Sequence, residues 1–200
     1  PVTLSCDWDN DGLMVEADAN RDVSKALIAL DATRDAVSYA ADGSFDVIVT
    51  HHPLIFHPLK GLHTDEPISS KAITCIKNGI SVMSFHTRLD AVNGGVNDML
   101  AQALGLHKIE PFSDIGRIGE LEEPMNADDF ASYVRDSLGS DYINYVGKRM
   151  VKKVALVGGD GKDYYADALK TGADAFVTGA MNYNMMAEAA ENPMNVVEAG

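Results

Sequence analysis

Apolar positions along the chain switch repeatedly between continuous or period-two runs, which read as strands, and helical spacing. Ala26–Leu30 is a short apolar run that suits a buried strand. Residues 34–41 then carry helical character, ended by Gly43. Phe45–Thr50 (FDVIVT) is β-branched and reads as a strand. Pro67–Asn78 predicts a helix stopped by Gly79, followed by a strand over Ile80–Phe85 and a helix over Gly95–Leu104 that closes on Gly105. The later half repeats this rhythm. A helix over Asn126–Leu138 is entered through Asn126, with Asp128 and Asp129 in its first turn. Strands are predicted at Val151–Val157 and Ala173–Thr178, helices at Lys162–Lys170 and Asn182–Ala190, and a last strand begins at Val196. Strands alternating with helices predict an α/β fold with largely parallel sheets flanked by helices.

Val23–His52 laid over Val151–Ala180, without a gap and at an offset of 128, gives seven identities in 30 positions. FDVIVT meets ADAFVT at the end of that overlay, so the chain reads as two related α/β halves. Glu120–Pro124 (ELEEP) is the nearest candidate for a crossing between them. The expected division is a first domain over residues 1–108, rejoined by 193–200, and a second over 109–192.

Charge narrows the partners. Of 200 residues, 30 are Asp or Glu and 16 are Lys or Arg, a formal charge of −14. Such a surface repels phosphate backbones, so a nucleic-acid polymer or an anionic membrane is not expected, whereas metal cations suit it. No apolar run approaches the ~20 residues of a membrane span. Cys6 and Cys75 build no disulfide framework, and a reducing cytoplasm is the expected location. Pro1 and Gly200 read as trimmed ends.

The candidate chemistry lies where predicted strands end. Thr50-His51-His52-Pro53 follows one strand, and ligands gather at the carboxyl ends of strands in open α/β sheets. Imidazole suits zinc, iron, manganese or nickel. Successive strand residues face opposite ways, which argues against one shared ion, but Pro53 breaks the ladder and lets the two rings fan out. The next strand runs into His86-Thr87-Arg88-Leu89-Asp90. A carboxylate there can bridge two cations, with His51, His52 and Asp90 as ligands and His86 as an outer ligand or proton carrier. Asp90 as a helix N-cap and His51-His52 as an inert hydrogen-bonded pair are the plain alternatives. Asp7-Trp8-Asp9-Asn10-Asp11-Gly12 imitates the opening of a calcium loop but places Asp18, not Glu, at position 12. Gly158-Gly159-Asp160-Gly161 lacks the lysine of a P-loop and reads as a tight turn, and His57, His63 and His107 read as solvated loop positions.

Taken together, Trp8-Asp9-Asn10-Asp11-Gly12-Leu13, Thr50-His51-His52-Pro53, His86-Thr87-Arg88-Leu89-Asp90 and Val177-Thr178-Gly179 resemble the dinuclear-metal family known as GTP cyclohydrolase 1 type 2, or NGG-interacting-factor-three-like proteins. The likeness runs collinearly over essentially all 200 residues. It implies a two-domain fold, a toroidal homohexamer and two divalent ions per subunit (Zn, Fe, Mn or Mg). It carries the metal role onto His51, His52 and Asp90 and puts His86 beside the ions. The family completes its site with a Gly-His-x-x-x-Glu segment, which would begin where this sequence stops at Gly200. It often has an acid and a histidine after the Thr-Gly turn, where this chain has Ala180 and Asn184. The implied activity is metal-assisted hydrolysis of a small molecule, a nucleotide or phosphoester, with His86 as proton shuttle. The rival reading is a non-catalytic protein that stores, delivers or senses metal.

Overall fold

In the computed structural model, which describes residues 4–200, the chain divides into two units, 1–89 and 90–200. The first is built on β1 (Gly12–Val15), β2 (Ala26–Ala29), β3 (Val47–Thr50) and β4 (Ser81–Ser84), in the sheet order β1-β4-β3-β2. β2, β3 and β4 run parallel and β1 is antiparallel to β4. The connections are α1 (Arg34–Asp42) and α2 (Pro67–Lys77). Thr33 caps α1 by accepting the Ala36 N–H, and Pro67 starts α2, where its missing N–H costs nothing. Val37 and Ala40 of α1, Ala72 and Cys75 of α2, and Ile48 and Val82 of the sheet pack in one core. Cys75 is fully buried there, which pushes its thiol up to about 11, as fits a core residue.

α3 (Thr87–Ala91) carries the chain from the first unit into the second. The second unit contains α4 (Val96–Ala103), β5 (His107–Phe112), β6 (Gly116–Met125), α5 (Ala127–Leu138), β7 (Asn144–Val146), β8 (Val151–Asp160), α6 (Tyr165–Lys170), β9 (Ala175–Ala180), α7 (Tyr183–Glu191) and β10 (Asn195–Glu198). Its sheet order is β5-β6-β8-β9-β10-β7. Four of these strands, β7-β10-β9-β8, repeat the order of β1-β4-β3-β2, with the same three parallel and one antiparallel.

The repetition extends to single hydrogen bonds. An Asp46 carboxylate oxygen accepts the backbone N–H groups of Ser24 and Lys25 at 2.8 and 2.9 Å. Asp174, 128 positions on, accepts those of Lys152 and Lys153 at 3.0 and 2.8 Å. Lys25 Nζ donates to the Gly43 carbonyl and Lys153 Nζ to the Thr171 carbonyl, each at 2.7 Å. Each aspartate also donates its own N–H to the carbonyl of the matching lysine. These pegs fix where β2 and β8 begin against their neighbours, so the identities of the overlay are structural parts used twice.

Several expectations differ from the structure. The sheets are mixed rather than largely parallel, because the antiparallel strands β1, β5, β6 and β7 were hidden by charge or brevity. Glu120–Pro124 lies inside β6 and is no crossing; its acids occupy a partly exposed strand, not a linker. The unit boundary falls at 89/90 rather than 108. Residues 193–200 do not rejoin the first domain, since β10 bonds β9 and β7. β2 is an edge strand, with Ile28 in it and Leu30 just past its end largely exposed, not a buried one. The helix expected over 162–170 begins as a 3-10 turn at Lys162–Tyr164 before α6.

Candidate metal centre

The histidine pair sits just past the last residue of β3. Thr50 still pairs with Ser84 of β4, but the chain then bends, so the strand alternation that would send successive side chains apart no longer applies. Thr50 Oγ1 donates to the His52 carbonyl at 2.7 Å and His52 N–H donates to Leu30 O at 3.0 Å, which pins this bend. The His51 and His52 ring centroids are 4.9 Å apart. β4 ends beside them and delivers His86, whose ring lies 5.3 Å from that of His51 and 5.9 Å from that of His52. One ring nitrogen from each of the three falls within 4.8 Å of the others.

Their hydrogen bonds decide which nitrogen of each ring carries the proton. His51 Nδ1 contacts the Phe85 carbonyl at 3.0 Å, and a carbonyl can only accept, so Nδ1 carries the proton. His52 Nδ1 and His86 Nδ1 meet the carboxylates of Asp31 and Asp9, each at 2.9 Å. With Nδ1 protonated in all three, each lone pair stands on Nε2. A backbone carbonyl or carboxylate behind the imidazole is the arrangement that orients a metal-bound histidine and raises its basicity. Imidazoles oriented in this way fit a first-row divalent ion; ligands on one tetrahedral ion lie roughly 3.4 Å apart for bonds of ~2.1 Å. The two carboxylates, behind His52 and His86, add a field that favours cations.

The segment Asp9–Asp11 supports His86 from below, a role that sequence reasoning did not assign. The Asp9 side chain is fully buried and accepts Thr87 Oγ1 at 2.6 Å and Thr87 N–H at 3.2 Å besides His86. Burial pushes its carboxyl up, but the hydrogen bonds from Thr87 and His86 outweigh this and hold it below the usual range. Asp11 accepts both the Arg88 guanidinium, through two nitrogens, and the His86 N–H at 3.3 Å. The signal lies in the sequence: three acids alternating through Asp7-Trp8-Asp9-Asn10-Asp11 imitate a calcium loop, whereas two of them grip the segment 86–88.

The structure brings His51, His52 and His86 together in the first unit. Asp90, the expected carboxylate ligand, is a buried residue of α3, one turn beyond His86. His63 holds Ser69 through backbone atoms, and His107 opens β5 beside Glu122 at 3.1 Å. Among the described residues no helix is long and apolar enough to cross a membrane.

A family model for Duf34/NIF3 (NGG1p interacting factor 3) matches residues 1–200. A GTP cyclohydrolase 1 type 2 homolog of Clostridium perfringens is 36% identical over 210 residues, spanning 100% of this chain and 80% of that protein. A homolog of the same name from Clostridium acetobutylicum is 32% identical, spanning 100% and 78%. Among solved structures, a Bacillus cereus protein related to NIF3 superposes with a TM-score of 0.89 at 28% identity, covering 100% of this chain and 84% of the other. The pinned histidines and the pegged repeat thus sit in a fold shared along the whole sequence, and the chain belongs to the Duf34/NIF3 family.

Proposed function

We propose that this chain binds divalent metal at His51 and His52 and uses it to hydrolyse a small anionic substrate, a nucleotide or phosphoester. The observation that carries the reading is the set of three Nδ1 contacts, which leave Nε2 as the nitrogen open to a ligand in three rings whose nitrogens come within 4.8 Å of one another. A bound divalent ion supplies Lewis acidity to the carbon or phosphorus centre under attack. His51 and His52 hold the cation, each braced by an oxygen behind it. His86 takes the proton from the attacking water at Nε2, while buried Asp9 fixes its tautomer and favours the imidazolium that forms. Asp90, the acid one helical turn beyond His86, is the proposed carboxylate ligand, and two ions per chain is the proposed stoichiometry. The names borne by the Clostridium relatives favour a nucleotide among possible substrates, and the family resemblance favours a cytoplasmic homohexamer.

The test measures metal content and turnover on a panel of nucleotides and phosphodiesters. Turnover lost on chelation, in His52→Ala and in His86→Ala, with His86→Ala keeping its metal, supports the reading. Metal bound by the wild type without turnover across the panel overturns the hydrolase and leaves a metal-binding protein.

A further inference from the structure

The chain's single tryptophan is turned outward. Trp8 is 57% exposed, on the segment whose next residue grips His86. Its ring centroid is 6.3 Å from Phe56, itself 38% exposed, and 6.4 Å from His86. Phe56 is 6.3 Å from His86, so the three rings form a near-equilateral group at the rim of the histidine cluster. Their planes meet at 66°, 85° and 89°, and no pair is stacked in parallel. Edge-to-face packing holds the rings in place without using up parallel stacking, the geometry that a flat ligand ring supplies.

The rim is also fixed in advance. Asn10 Nδ2 donates to the Ile55 carbonyl at 2.5 Å, tying the Trp8 segment to the Phe56 segment. Asp9, next to Trp8, is anchored by Thr87 and His86, and its N–H donates to Cys6 O at 3.0 Å. Large aromatic surface held rigid and exposed beside polar chemistry is how proteins grip a planar ring, since every such ring offers a π-face.

Resting on the reading of the histidines as the working site, we propose that Trp8 and Phe56 are specificity-determining residues that stack the planar heteroaromatic part of a ligand whose anionic end reaches His51 and His52. A mononucleotide is the simplest compound of that class. The same phosphate without the ring should bind poorly.

Because Trp8 is the only tryptophan, its fluorescence reports the event directly. The zinc-loaded whole chain is titrated with guanosine monophosphate and with ribose 5-phosphate, and the variants Trp8→Ala and Trp8→Phe are compared by calorimetry. The expected result is quenching by the nucleotide, with binding about tenfold or more tighter than that of ribose 5-phosphate. Trp8→Ala should reduce that ratio to about one while keeping its zinc and its unfolding temperature, and Trp8→Phe should keep most of it. Equal affinity for the two probes in the wild type, zinc loading with no response to the nucleotide, or an unchanged ratio in Trp8→Ala overturns the inference and leaves the metal reading standing. Failure to load zinc overturns the reading beneath it.

Discussion

The two units build the same four-stranded arrangement and end it differently. In the first, the strand that closes on Thr50 runs into His51 and His52, and the next parallel strand runs into His86. In the second, the corresponding positions after Thr178 are Gly179 and Ala180, and Ala199-Gly200 follows β10. There the strand ends line a mostly apolar cavity of about 210 Å³ with Gly158, Gly159, Gly179 and Gly200 among its walls. Both units keep the Asp–Lys pegs that set the strands, so the pegs belong to the fold, whereas the histidine cluster occurs at the strand ends of the first unit. A shared scaffold places residues at the carboxyl ends of strands, and only the residue types found there make a site.

The largest expected effect breaks the first unit's distinction outright. His52→Ala should weaken metal binding by more than the ~10–100-fold that losing an outer partner costs, read by equilibrium dialysis with elemental analysis. At the matching position of the second unit, Ala180→Ser should leave metal content unchanged. Next in size, Asp9→Asn removes the carboxylate behind His86 while keeping its shape. It should lower turnover about 10–100-fold with metal still bound, and shift the pH–rate profile, because the imidazolium loses its counter-charge.

The pegs test what the units share. Asp174→Ala leaves two backbone N–H groups without an acceptor and should destabilise the chain by about 2 kcal/mol in thermal unfolding. Asp46→Ala should act in the same direction. Hydrogen bonds from the Ser24 N–H, the Ser24 hydroxyl and the Lys25 N–H, helped by Arg21, hold the Asp46 carboxyl at about 2 rather than 3.8. The unfolded chain therefore takes up that proton first as pH falls. The stability from this group is complete above about pH 5 and fades from roughly pH 4 toward 2, and an Asp46→Asn variant should flatten that limb of the acid unfolding curve. Smallest of all, Ile28→Lys on the exposed edge strand β2 should change stability by no more than about 0.5 kcal/mol.

Much of this was legible in the sequence, for identifiable reasons. Continuous β-branched runs such as FDVIVT and helices closed by glycine leave strong periodic signals, and the peg residues Lys25, Asp46, Lys153 and Asp174 were already identities in the overlay. The placement of His51, His52 and His86 together followed from two strands ending side by side. Short or charged strands escaped: β7 has three residues, and β6 hides its alternation beneath Glu120, Glu122 and Glu123. The roles of Asp9 and Asp11 escaped because their partners lie more than 70 positions away, a pairing that local spacing cannot announce. The exposure of Trp8 is likewise a fact of three dimensions.

The central claim is that oxygens behind His51 and His52 keep Nδ1 protonated and leave Nε2 to hold a cation, with His86 beside it as the base. The most direct measurement loads the chain with zinc and follows the nitrogen resonances of the histidine rings by NMR. The account predicts that the Nε2 signals of His51 and His52 move on loading while every Nδ1 stays protonated, and that Asp31→Ala disturbs His52 alone. Zinc that leaves these rings unmoved, or that binds through Nδ1, would contradict it.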